Sequence, residues 1–307
     1  MSGATVVPRP GHALALDVGG SHVTAALVSL SGRRVLREAR RTLAHDAPLE
    51  HIVGGWAEAA LEAVGSSHVT LSHLGVAVPG PFDLPGGASQ MTHKFAALLG
   101  VPLRPLLAEA LSGSVLRGLT VRFGNDADLF ALGEWWAGAG QGSRRMIGLT
   151  LGTGLGSGFV LDGQAVTEGK DVPADGELWN TPFRDGVAEH WACGAAVTRA
   201  WEAQSGGAAP LSAREVAALA EQGDTRATAT FTAFGHDLAE LLRPWAERFG
   251  AERVVLGGNV SRAFDLFAPA MQAGLPGCEV RRSEHFEQAG LLGAAALRGP
   301  GVPEATR

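Results

Sequence analysis

Residues 149–163 read LTLGTGLGSGFVLDG, a β-branched and apolar run, a glycine cluster and a second apolar run ending in Asp-Gly. The alternating Gly-x-Gly-x-Gly-x-Gly of 152–158 is close to the Gly-x-Gly-x-x-Gly of a dinucleotide fingerprint without matching its count, and that fingerprint also requires a strand before it and a helix after it. Here a strand follows. Small residues at alternate positions between two strands make a tight turn whose backbone N–H groups can approach a phosphate, with Thr153 adding a hydroxyl donor. Gly152, Thr153 and Gly154 are the candidate phosphate contacts of this turn.

Two further glycine turns lie at strand ends. ALALDV (13–18) and HVTAALVS (22–29) are apolar runs joined by Gly19, Gly20 and Ser21, and a third strand is expected near 33–41. This turn too can offer N–H groups to a phosphate, and Asp17 would face a magnesium ion; the same residues also suit an ordinary hairpin. Gly257 and Gly258 after VVL leave bare backbone beside Asn259, against which a planar adenine could lie. Alone, that cluster is a strand-ending turn; with the other two it supplies the nucleoside end of a nucleotide site.

Phe123-Gly124-Asn125-Asp126 ends a strand and begins a helix, which places Asp126 where a helix N-terminus stabilises a carboxylate and keeps it ionised. One aspartate beside an attacking hydroxyl, with one magnesium on the phosphates, is sufficient chemistry for phosphoryl transfer. Asn125 and Asp126 would equally serve as helix caps.

Around these motifs the pattern predicts helices near 48–64, 186–204, 211–222, 226–249 and 288–298, the fourth kinked at Pro244. LGVAVPG (74–80) and ERVVLGGNV (252–260) read as strands with glycine turns, and 81–102 as loop. From residue 119 the order strand, helix, strand, strand begins again. This echo suggests two related α/β lobes, although the matching glycine motifs are short enough to arise by chance.

The 307 residues, 46% hydrophobic and 18% charged, can bury a large core and fit two domains. A net charge of −6 without a basic block argues against nucleic acid as a partner. No apolar stretch is long enough to span a bilayer, and the first 12 residues lack a signal-peptide core, so membrane and secretory roles are not expected. Two cysteines, Cys193 and Cys278, fit a reducing cytoplasm.

Taken together, LALDVGGSHVTAALV, GVAVPGPFD, GNDADLFALGEWWAGAG, LTLGTGLGSGFVLDG and VVLGGNV resemble, in order, the motifs of the ROK family of bacterial sugar kinases and repressors. The resemblance implies an α/β protein of the actin-like ATPase (ribonuclease H-like) fold. It implies a small lobe of residues 1–118 with 288–307, a larger lobe of 119–287, and a sugar in the cleft between them. The implied activity is ATP-dependent phosphorylation of a hexose, glucokinase-like, with Asp126 as general base, Mg2+ as cofactor, and a cytoplasmic homodimer as the working form.

The sugar contacts implied are Gly80, Asn125, Asp126, Glu177, Asn180 and Glu189, with Lys94 as a departure. Gly176-Glu177-Leu178-Trp179-Asn180 matches a Gly-Glu-x-x-His element with Asn180 at the histidine, and Glu189 matches a second Glu, with Cys193 at a serine position. In MTHKFAALLGVPL, Lys94 stands where the family has asparagine and could enter the sugar site or remain solvated. The family's cysteine cluster is missing, so no zinc is expected; His190 and Cys193 alone are too few ligands. Two alternatives accompany this reading: a kinase for an amino or N-acyl sugar such as an N-acylmannosamine, and a non-catalytic sugar binder. A repressor would need a helix-turn-helix, for which the 12 residues ahead of the first strand are too short.

Overall fold

The computed structural model describes residues 11–44, 46–92, 95–206 and 209–298. They form two compact units, Met1–Leu129 with Gly290–Arg307, and Phe130–Ala289. In the first, β1 (His12–Val18), β2 (His22–Ser29) and β3 (Arg34–Thr42) run as an antiparallel meander. Helix α1 (Leu49–Val64) then returns the chain so that β4 (Leu71–Val78) lies parallel to β1. A short hairpin, β5 (Phe82–Asp83) and β6 (Ala88–Ser89), and α2 (Leu103–Ala110) precede β7 (Val121–Asn125), which is parallel to β4. Among the described residues the sheet order is β3-β2-β1-β4-β7.

Sequence explains this placement. Strand β1 is apolar on both faces and central, whereas β3 carries Arg34, Arg37, Arg40 and Arg41, the charged side chains that keep an edge strand from pairing with another chain. The apolar stripe of α1 buries Ile52, Val53, Trp56, Ala60 and Val64 over β2 and β3. Because β1, β4 and β7 are parallel and in register, Asp17 opposite Ala77 and Val78 opposite Asn125, their carboxyl ends share one edge.

Helix α3 (Asp126–Ala137) carries the chain into the second unit. There β8 (Arg145–Leu151) and β9 (Leu155–Leu161) form a hairpin continued by β10 (Gln164–Ala165). A long connection with the small hairpin β11 (Pro182–Phe183) and β12 (Gly186–Val187) leads to α4 (Gly194–Ser205), α5 (Ala213–Glu221) and α6 (Thr225–Phe249). Strand β13 (Arg253–Gly257) pairs parallel with β8, α7 (Phe264–Ala273) follows, and β14 (Glu279–Arg282) pairs parallel with β13. Helix α8 (Glu287–Ala296) returns the chain to the first unit. The second sheet, β10-β9-β8-β13-β14, repeats the first: an antiparallel meander with two parallel strands beyond it. Phe159, Phe231, Phe234, Phe249 and Phe267 fill its core.

Several expectations need correction. Residues 186–193 are not helical: Gly186 and Val187 belong to a hairpin, Ala188–His190 make one 3-10 turn, and α4 starts at Gly194. The apolar spacing of Val187, Ala188 and Ala192 imitated a helical face. Pro244 does not interrupt α6, which continues beyond it to a left-handed Gly250. Helices α2 and α7 were not anticipated, and each contains a proline, Pro105 and Pro269, that disguises its pattern. The lobe boundary expected at 118 divides the chain before β7, yet β7 is hydrogen-bonded into the first sheet and the division falls between Leu129 and Phe130.

Candidate active site

In the first unit, the shared carboxyl edge of β1, β4 and β7 gathers Asp17, Gly80, Asn125 and Asp126. Ligands of α/β sheets bind at such edges because the loops leaving parallel strands are free to vary there. The Gly19–Ser21 turn is closed by a hydrogen bond from the Gly19 N–H to the His22 carbonyl (2.9 Å). Asn125 caps α3: its Oδ1 accepts from the N–H groups of Ala127 (2.9 Å) and Asp128 (3.3 Å). Asp126 is exposed on the first turn, with Oδ1 accepting from the Ala127 N–H (2.8 Å). The helix N-terminus therefore favours negative charge at Asp126.

In the second unit the remaining candidates fall into one connected arrangement. Gly152, Thr153 and Gly154 form the β8–β9 turn, closed by Gly152 N–H to Gly154 O (3.0 Å). Gly257 lies opposite Thr150 in the β13–β8 ladder, so the Gly257-Gly258-Asn259 turn sits beside the β8–β9 turn. Gly258 has φ of 80°, and a Cβ there would stand 2.4 Å from the Leu151 carbonyl oxygen; only glycine fits.

The segment with Glu177, Asn180 and Glu189 is fastened to the same turn. The Ser157 hydroxyl on β9 donates to Gly176 O (2.8 Å) and accepts from the Leu178 N–H (2.9 Å), while the Leu178 side chain is fully buried. The Glu189 N–H donates to Trp179 O (3.0 Å), and the Glu189 carboxylate accepts from the Leu155 N–H (2.9 Å). The Gly194 N–H at the start of α4 donates to Gly152 O (2.8 Å). Glu189 thus braces the β8–β9 turn, and a Cβ at Gly154 would collide with it at 2.5 Å. Arg184 holds the β11–β12 hairpin to α6 through Asp237 (2.7 Å) and Glu240, and its guanidinium lies over Trp191 (4.4 Å). A cavity of about 530 Å³ lined by Asp185, His190, Trp191, Arg199, Phe234 and Asp237 adjoins this hairpin and contains none of the expected site residues. Lys94 lies outside the described residues.

Asp17, at the carboxyl end of β1, offers carboxylate oxygens of the kind magnesium takes. The residues present fit the ion. Among the described residues no cluster of three or more His, Cys, Asp and Glu is placed to hold a metal. His190 is exposed and Cys193 buried, and burial pushes the Cys278 thiol up to about 11. No helix among the described residues is long and apolar enough to cross a membrane.

Two contacts lay outside the sequence reading. Trp179 donates its indole Nε1–H to Glu177 (2.6 Å), which a tryptophan between two expected ligands could have signalled. Glu134, within the helix after Asp126, is fully buried, which its position in a charged-aromatic run did not reveal.

The ROK family model matches residues 13–299. The chain belongs to the ROK family. Among its relatives, the glucokinase of Thermotoga maritima is 30% identical over 92% of this chain and 96% of its own length. The N-acetyl-D-glucosamine kinase of Haemophilus influenzae is also 30% identical, over 73% of this chain and 79% of its own. The ROK hexokinase of Thermus thermophilus superposes with a TM-score of 0.75 at 28% identity, covering 93% of this chain and 97% of that one. This ROK chain shares the actin-like fold of those kinases, and its two sheets of like order are the repeated half of that fold.

Proposed function

We propose that this ROK protein is a sugar kinase that transfers the γ-phosphoryl group of ATP to a hydroxyl of a hexose, glucokinase-like, with Asp126 as the general base. The observation that carries the reading is the exposed Asp126 on the first turn of α3, next to a residue that already caps the helix. The hydroxyl oxygen attacks the γ-phosphorus, ADP leaves, and the hydroxyl proton passes to the Asp126 carboxylate. Asn125 uses its amide oxygen as the cap, so its Nδ2 donor is what it offers the sugar. Glu177, Asn180, Glu189 and the backbone at Gly80 orient the remaining hydroxyls, and Lys94 is a further candidate contact.

On the nucleotide side, Gly19, Gly20, Ser21, Gly152, Thr153 and Gly154 receive the phosphates, and Gly257, Gly258 and Asn259 receive the adenosine. Magnesium, held through water by Asp17, would supply positive charge against the phosphates. The working form is a cytoplasmic homodimer with small-molecule partners only.

Asp126→Asn tests the reading in a coupled ADP-release assay with glucose and N-acetyl-D-glucosamine as acceptors. The amide preserves shape but accepts no proton, so kcat should fall about 10²–10⁴-fold while sugar still raises the melting temperature. Retention of more than about a tenth of wild-type kcat would remove Asp126 from the role, because a general base contributes more than that. Sugar-induced stabilisation without any ADP release from the wild type would mean a binder and not a kinase.

A further inference from the structure

Trp179 has an unusual placement for so large an apolar side chain. Trp56 and Trp201 are 1% and 3% exposed, whereas Trp179 is 43% exposed. It is not loosely displayed. Its neighbour Leu178 is fully buried and bonded through its N–H to Ser157, and the Trp179 carbonyl accepts from the Glu189 N–H. The Leu178–Thr181 turn is closed by hydrogen bonds from the Thr181 N–H (3.0 Å) and hydroxyl (2.7 Å) to Leu178 O. The indole itself is pinned by its Nε1–H on Glu177 Oε2. A ring held at three levels, yet left open to solvent between Glu177 and Asn180, is arranged for a ligand with one apolar face and a polar rim.

We propose that Trp179 is a specificity-determining residue of the sugar site, its ring forming the platform for the C–H face of a pyranose while its N–H fixes Glu177 for the hydroxyl rim. This inference rests on the sugar-kinase reading above. In a glucose chair every ring hydroxyl is equatorial, so both faces present only C–H groups and can lie flat on an indole. An axial hydroxyl changes that: at C2 in mannose and at C4 in galactose it projects from one face, and at C3 in allose from the opposite face. Packed against the ring, such a hydroxyl holds the sugar off the surface and loses its water without gaining a partner. The platform consequently favours all-equatorial pyranoses and penalises the epimers of whichever face it meets.

The experiment measures glucose KM and kcat, and competitive inhibition constants for mannose, galactose and allose, in the wild type, Trp179→Phe and Trp179→Ala. ATP KM and melting temperature report on folding. With Trp179→Ala, glucose KM should rise about tenfold with kcat little changed, since a lost apolar contact of this size acts on binding. Discrimination against the epimers of one face should shrink by the same factor, and Trp179→Phe, which keeps a flat ring but loses the N–H to Glu177, should recover the epimer discrimination more fully than the glucose KM. An unchanged glucose KM in Trp179→Ala would overturn the proposal, as would an equal loss for all four sugars. A wild type that phosphorylates no hexose would remove the sugar-kinase reading and this one with it.

Discussion

At the scale of single residues, the molecule places charge where local structure supports it and excludes charge where it does not. Asp126 sits on a helix N-terminus, and Glu189 spends one oxygen on the Leu155 N–H. His73 is the opposite case. It is 3% exposed on β4, its Nε2 facing the Ala294 carbonyl (3.2 Å) and its Nδ1 the Ser72 hydroxyl (2.7 Å), so the neutral tautomer with hydrogen on Nε2 satisfies both. Burial, with the nearby Arg122 adding to it, lowers its pKa from 6.5 to about 4, against the opposing effect of the Ala294 carbonyl. The unfolded chain takes up this proton near pH 6.5 and the folded chain does not until near 4. Stability should therefore decline as pH falls through that window, by about 3 kcal/mol if His73 acts alone. Urea midpoints at pH 7, 5.5 and 4 should fall less steeply for His73→Asn than for the wild type; parallel declines would exclude His73 as the cause.

At the scale of elements, the turn leading into α8 depends on one buried carboxylate. Glu134 on α3 accepts from the Ser283 hydroxyl (2.5 Å) and from the N–H groups of Ala139 (2.9 Å), Glu284 (3.2 Å) and His285 (2.8 Å). Four donors converge on two oxygens that are wholly removed from water. A glutamine there has a single oxygen and turns an N–H₂ towards other donors. Glu134→Gln should cost about 3 kcal/mol, or roughly 6–12 °C in melting temperature. An unchanged midpoint would mean that water replaces these bonds. Close backbone approach makes a second demand on the same elements: α8 passes α3 where a Cβ at Gly293 would stand 1.8 Å from the Leu129 carbonyl oxygen, so glycine is required. Neither demand is visible as a motif, because each is set by an element more than a hundred residues away.

At the scale of the whole molecule, two sheets of the same order arise from sequences that echo each other only in short glycine turns. The metal requirement belongs to this scale, since Asp17 is the magnesium candidate and no zinc cluster is expected. Chelation with EDTA should stop turnover, Mg2+ alone should restore it, and elemental analysis should find no stoichiometric zinc; one zinc per chain would overturn this. The chain's own pattern determined the meander ALALDV–HVTAALVS, the glycine turn at Gly152–Gly154 and the strand-to-helix junction at Asn125-Asp126, because strand alternation, glycine turns and helix caps are local and leave local signals. Tertiary structure alone decided that β7 joins the first sheet, that residues 186–193 form a hairpin and a turn in place of a helix, and that Glu189 reaches the backbone of Leu155. It also decided that Trp179 stays open to solvent with its N–H on Glu177. Those outcomes depend on strand partners and hydrogen-bond partners distant in sequence, and no local propensity encodes which partner wins.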